Sequence, residues 1–257
     1  MNIYKMLMAI MRVIRLSRRI MCVSYRVHHQ SSHKRFRHKN RAVWGLSALV
    51  VLMGFSSCDD YQPADNAIHV GYILCENHSC MDPETYFAQT THKAVGVVFA
   101  EQTNDHPLMA VMLKELNEVF CDSVGLSNGT SGNLTAFDGS ANTRAMQKSY
   151  NAGTKKGCPL AMKLFTFHEG GQSDFLPSVA EQRLLNVSAR SINAIIERLG
   201  GTPIALDGDC WYWTSTEVSE NSGLQAWLCS SANGGIIETP KTESHKARAI
   251  VKIKYSN

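Results

Sequence analysis

Six cysteines lie beyond residue 58, at 75, 80, 121, 158, 210 and 229, and they carry the most evident chemistry in the sequence. Cys75-x-x-His78-x-Cys80 has the spacing of half a metal site. A structural zinc needs four ligands, and no second cluster stands at a matching spacing, so no metal is expected here. An even number of cysteines in an exported chain favours disulfides, with many connectivities open. Cys210 and Cys229 are the leading pair, because a hairpin turning near Ser219-Glu220 sets them opposite one another. Cys75 and Cys80 could close a small loop, and free buried thiols are the alternative for either pair. Few catalytic signatures are present: there is no His-Glu-x-x-His and no phosphate loop, and the histidines are scattered. The chain is therefore not expected to be an enzyme. Polar recognition is better supplied. Glu217, Ser219, Glu220, Asn221, Ser222, Gln225, Asn233 and the loop from Lys241 to His245 offer carboxylate, hydroxyl and amide groups, and Tyr212 offers a stacking face. These are the candidate ligand contacts.

The elements that must position them are punctuated clearly. Ser178-x-x-Glu181 is a capping box and starts a helix. Ser188 can open a second segment, in which Ile192, Ile195, Ile196 and Leu199 form one apolar stripe, and Gly200-Gly201 ends it. Trp211 to Thr216 is aromatic and β-branched, hence a strand, with Gln225 to Cys229 as its hairpin partner. Upstream, Ile68 to Leu74 reads as a first strand and Glu84 to Thr91 as a weaker one. Lys93 to Phe99 and Leu108 to Leu113 form a hairpin across Asn104-Asp105-His106-Pro107. Residues 123–139 are rich in Gly, Ser, Thr and Asn and form an exposed loop. Asn142 could cap a helix, and Pro159 suits the first turn of another. Ile236 to Glu238 is a short strand. Ala247 to Tyr255 alternates as a half-buried strand with Arg248, Lys252 and Lys254 on its solvent side.

Charge divides the chain sharply. Residues 1–57 hold 11 of the 26 Lys and Arg and no acid, which leaves 15 basic against 22 acidic groups in the remainder, a net of −7. The folded part therefore has no basic footprint for nucleic acid. Basic residues from Arg35 to Arg41 precede an apolar run from Ala42 to Phe55, a length suited to a signal peptide rather than a transmembrane helix. Phe55-Ser56-Ser57-Cys58 resembles a lipobox, which makes Cys58 the lipidation site and the membrane a partner through an N-terminal lipid anchor. Asp59-Asp60 looks like the acidic tract of Bacteroidetes surface lipoproteins. The expected organisation is an extension and signal peptide over 1–57, a tether over 58–67 and one domain over 68–257. The expected location is the outer membrane, at the cell surface.

Several ordered motifs carry a wider resemblance: Phe137-Asp138-Gly139-Ser140-Ala141-Asn142-Thr143, Phe175-Leu176-Pro177-Ser178, Leu199-Gly200-Gly201, Tyr212 to Glu217, Ala226-Trp227 and Arg248-Ala249-Ile250. Together they resemble the C-type-lectin-like domains of bacterial surface lipoproteins, similar to the C-terminal domain of the Legionella collagen-like adhesin. The wider fold is shared with formylglycine-generating enzymes and the phage major tropism determinant. The resemblance implies an α+β fold with small mixed or antiparallel sheets flanked by helices. It also implies adjacent N- and C-terminal strands, buried Trp213 and Trp227, and loops that bind a glycan or a protein. An accessory subunit of a surface fibre is the alternative, and a formylglycine-type oxidase using Cys210 and Cys229 a more distant one. No cofactor is implied, although calcium is used by many lectins of that fold; the Glu-Pro-Asn and Trp-Asn-Asp triplets that bind it are missing from this sequence.

Overall fold

Ser178 starts the longest helix as its side chain requires. Its hydroxyl accepts from Glu181 N (3.3 Å), and the Glu181 carboxylate accepts in return from Ser178 N (2.9 Å). That reciprocal cap opens a helix from Val179 to Arg198 in the computed structural model, which describes residues 67–89, 91–154, 156–166 and 174–254. The expectations placed on the signal peptide, Cys58 and the tether lie outside the described residues. The helix ends where Gly200 takes φ +75°, with Gly201 N bonded to Ile196 O and Gly200 N to Glu197 O. It is one helix rather than two. Ser188 caps nothing; its hydroxyl instead donates to Phe99 O (2.6 Å) on a strand beneath.

The strands in chain order are β1 (Ile73–Cys75), β2 (Cys80–Met81), β3 (Ala94–Ala100), β4 (Met109–Val119), β5 (Trp211–Glu217), β6 (Gln225–Ser230), β7 (Ile236–Pro240) and β8 (Ser244–Lys252). The helices are α1 (Pro83–Gln89), α2 (Gly139–Lys148), α3 (Pro159–Thr166) and α4 (Val179–Arg198). All eight strands join one sheet in the order β2-β1-β3-β4-β8-β5-β6-β7, antiparallel except for the β5–β8 pair. The fold is therefore α+β with a mostly antiparallel sheet.

Both faces of this sheet are covered, which explains the unbroken apolar run of β3. Val97 and Phe99 face the α4 stripe of Leu185, Ala189, Ile192 and Ile196. Val95 and Val98 face the opposite way, into a cluster with Met146 of α2, Leu160 and Leu164 of α3, and Trp213. Trp213 is fully buried, donates from Nε1 to Glu118 O (3.0 Å) and meets Phe120 edge-on; Trp227 is half-buried.

Four expectations are corrected. The segment expected as a strand from Glu84 is helical through Gln89, because Asp82 Oδ1 accepts from Thr85 N (2.9 Å) and caps α1. The first strand is short: the chain turns at Gly71 (φ +94°), and the regular strand runs only over Ile73–Cys75. The terminal strands are not neighbours: β3 and β4 stand between β1 and β8. Arg248 does not face solvent. The α4 side of β8 is also covered, and the buried guanidinium donates to Leu113 O (3.1 Å), Thr202 O (2.7 Å) and Glu115 Oε2 (3.2 Å).

Candidate functional site

The end of the sheet where β5 meets its turn into β6 carries a buried ion pair. Glu217 closes β5, and Lys241 follows directly on β7; both side chains are withdrawn from solvent. Lys241 Nζ donates to Glu217 Oε1, to Ser222 O and to Asn128 Oδ1 (2.7 Å). The Glu217 carboxylate also accepts from Ser127 Oγ (2.8 Å), Asn128 N (2.8 Å), Thr130 N (3.1 Å) and Thr130 Oγ1 (2.9 Å). Burial pushes this carboxylic acid upward, but the Asn128 N–H, the Lys241 ammonium and the Ser127 hydroxyl outweigh that and hold it below the ordinary range. A charge pair so deep in the protein is tolerable because its hydrogen-bonding capacity is used.

The pair fastens two loops to each other. Lys241 N bonds to Leu224 O and Cys121 N to Lys241 O, so one residue ties the β5–β6 turn to the end of β4. Gly125 N bonds to Gly223 O (2.8 Å) where the loops touch. A Cβ on Gly223 would stand 3.0 Å from the Gly125 carbonyl carbon, and one on Gly132 would stand 2.0 Å from Ser219 Oγ, so a side chain at either position would crowd the approach. Around that contact three apolar side chains turn outward: Leu126 is 81% exposed, Val124 52% and Leu224 51%. Ser219, Glu220 and Asn221 form an exposed 3-10 turn beside them.

Of the predicted contacts, Ser219, Glu220 and Asn221 fall together at this end, with the exposed Thr242, Glu243 and Ser244 of the neighbouring loop. Ser222 and Gln225 are half-buried, the former through the carbonyl that receives Lys241, the latter opposite Pro240 in the sheet. Glu217 is not a contact, since its oxygens are spent internally. Tyr212 is no stacking surface either: it is fully buried, its hydroxyl donating to Glu115 Oε2 (2.7 Å) and accepting from Ala205 N (3.0 Å). Burial, then Glu115, raise its phenol above the usual value. Asn233 lies across the length of β6, in the turn to β7, where its side chain accepts from Gly235 N (2.9 Å). Leu126, Val124 and Leu224 were missed in the sequence; the available signal was Val124 and Leu126 at the start of a glycine-rich, largely polar loop.

The cysteine pairings are corrected too. All six thiols are free. The register sets Cys229 opposite Tyr212 rather than Cys210, which precedes β5 and packs against Ser230 Oγ (3.3 Å). Cys80 pairs with Leu74 in the sheet rather than closing a loop with Cys75. Burial raises Cys80 and Cys229, each to about 11, so neither is a ready nucleophile.

Two further features bear on function. Among the described residues no cluster of three or more His, Cys, Asp or Glu could hold a metal, and no helix is long and apolar enough to cross a membrane. A cavity of about 360 Å³ opens between β3, β4 and the end of α4, lined by Tyr86, Lys93, Met112, Leu113, Lys114 and Thr202; it contains none of the predicted contacts.

No protein family profile and no curated protein sequence matches the chain. Among solved structures, a fimbrial protein from Bacteroides ovatus is similar in fold, with a TM-score of 0.55 at 14% identity. The match covers 72% of this chain and 48% of that one, so this chain matches about half the length of its structural neighbour.

Proposed function

We propose that this chain is a cell-surface protein, lipid-anchored at the outer membrane, that engages a protein partner outside the cell, adhesin-like, through the loops fastened by Glu217 and Lys241. The observation that carries this reading is the exposure of Leu126, Val124 and Leu224 on loops whose bases are fixed by a buried charge pair. Exposed aliphatic groups on a pre-organised mount are expensive to leave in water and gain most from a protein surface, which favours a protein partner over a glycan at this end. The motifs resembling C-type-lectin-like domains support reading this end as the binding end, and the fold shared with a fimbrial protein supports a surface location.

The test is binding of the purified protein to immobilised mucin, fibronectin, fibrinogen and collagen, alongside a glycan array. Leu126→Asp with Leu224→Asp should remove protein binding while leaving the melting temperature within about 2 °C, because exposed side chains contribute little to stability. Retained binding in that variant would refute the assignment. A second reading, an accessory subunit of a surface fibre, is favoured by the fimbrial neighbour. It expects no binding to either panel and co-sedimentation with filaments sheared from cells.

A further inference from the structure

Directly beneath the apolar loops lie two buried thiols. Cys121 follows the end of β4, and Cys158 immediately precedes Pro159, the first residue of α3. Their backbones run side by side: Asp122 N donates to Gly157 O (2.9 Å), and Gly157 N donates to Asp122 Oδ1 (2.6 Å). Asn128 Nδ2 reaches both Cys121 Sγ (3.6 Å) and Ser149 Oγ (3.0 Å), and Ser149 Oγ lies 3.5 Å from Cys158 Sγ, so the two sulfurs line one buried pocket. Paired backbones with facing side chains are the arrangement a disulfide needs.

We propose that Cys121 and Cys158 are a modification site, closed into a disulfide by exchange with an external disulfide such as oxidised glutathione, and that the bond clasps the 122–132 loop onto the start of α3. In the first step the Cys121 thiolate attacks one glutathione sulfur, forming a mixed disulfide and expelling a glutathione thiolate. Cys158 then gives up its proton to that thiolate and attacks Cys121 Sγ, releasing the second glutathione. Two protein thiols are oxidised, and one disulfide is reduced to two glutathione molecules. The surroundings divide the roles between the two cysteines. Cys121 Sγ donates as a thiol to Ser123 O (2.9 Å) and receives Ser123 N (3.4 Å) and Asn128 Nδ2 (3.6 Å), the latter bound through its oxygen to Lys241. The hydrogen bond from Cys158, with these donors and the Lys241 charge behind it, favours the Cys121 thiolate against the cost of burial. The same contact with Cys121, together with burial, keeps Cys158 protonated. A thiolate beside a thiol is the pairing that exchange requires. Both sulfurs are buried, so the exchange completes as the loop settles and brings these donors to Cys121, and the closed bond is afterwards shielded from reductant.

The experiment uses the protein refolded from denaturant in oxidised and reduced glutathione, alkylated, digested with trypsin and analysed by mass spectrometry. Cleavage after Lys114, Arg144, Lys156 and Lys163 isolates Cys121 in peptide 115–144 and Cys158 in peptide 157–163. The expected product of the oxidised sample is these two peptides joined, two hydrogens lighter than their sum. The melting temperature should rise by roughly 10 °C, because a closed loop of about 40 residues restricts the unfolded chain. Cys121→Ser and Cys158→Ser should each abolish the redox-dependent rise, whatever their own stability. Recovery of both peptides as free alkylated thiols from the oxidised sample, or a bond from Cys121 to any other cysteine, would overturn the proposal.

Discussion

Replacing Lys241 by Met removes a charge while nearly preserving the buried stem, so the effect isolates electrostatics from packing. Glu217 is left ionised and withdrawn from water with four donors instead of five, and Asn128 Oδ1 and Ser222 O lose theirs. Breaking a buried pair at one partner costs about 3–5 kcal/mol, and the surviving donors from Ser127, Asn128 and Thr130 place this case near the lower end, about 3 kcal/mol. For a unit spanning residues 65–257 that is a fall of roughly 6–12 °C in melting temperature, readable by calorimetry or circular dichroism. Glu217→Gln alone should also destabilise. The double variant should lose at least ~1.5 kcal/mol less than the two single losses together, since the ammonium and carboxylate answer one another. The pH profile gives an independent reading. The folded-state pKa of Glu217 is depressed, so its stabilisation is present above the unfolded value of about 4.3 and is lost as pH falls through the lower folded value. Without Lys241 the upward push of burial is less opposed and the folded value moves up toward the unfolded one, so the variant should lose less stability on acidification. Additive single and double losses, or superimposable pH profiles, would refute the reasoning.

Two smaller perturbations test the framework that holds these loops. Ser178→Ala removes the α4 cap and leaves Ala136 O without the hydroxyl that donates to it (2.7 Å), so the urea midpoint should report a loss of about 2 kcal/mol. Gly139→Ala sets a Cβ 2.2 Å from Glu181 Oε2, 2.5 Å from Leu176 O and 2.7 Å from Ser178 N. Two of those neighbours are backbone and cannot yield, so the loss should be about 3 kcal/mol; a loss below ~1 kcal/mol would show that the α2–α4 junction can relax.

Local signals in the sequence translated well into structure where the interaction was local. The Ser178–Glu181 cap, the Gly200-Gly201 stop and the β5–β6 hairpin each depend on residues a few positions apart, and each was legible. Asp82-Pro83 before Glu84 was equally legible as a helix start but was outweighed by the β-forming Thr85, Tyr86 and Phe87, whose rings serve α1 packing instead. Strand order was not legible, because whether β8 lies beside β1 or between β4 and β5 depends on which apolar faces meet across more than a hundred residues. Arg248 shows the consequence. Alternation correctly put it opposite Ala249 and Val251, but only the packing of α4 and the 202–203 segment on that side reveals that its face is covered and its guanidinium enclosed by carbonyls.

The candidate site failed and succeeded for one physical reason. A long segment without regular structure must still satisfy its backbone N–H groups, and a loop of Gly, Ser, Thr and Asn does so by bonding to itself and to whatever acceptor is near. Here that acceptor is Glu217, which takes two N–H groups and two hydroxyls from residues 127–130. The polar residues that suggested ligand contact are thus divided between holding the loop and standing in water. The aliphatic residues of the same loops have no such internal obligation, and Leu126 and Leu224 stay outside the apolar clusters and point out. In a loop built to satisfy its own polar groups, the outward apolar side chain is the feature that folding leaves unexplained, and the three around the Gly125–Gly223 contact are therefore where binding should be sought first.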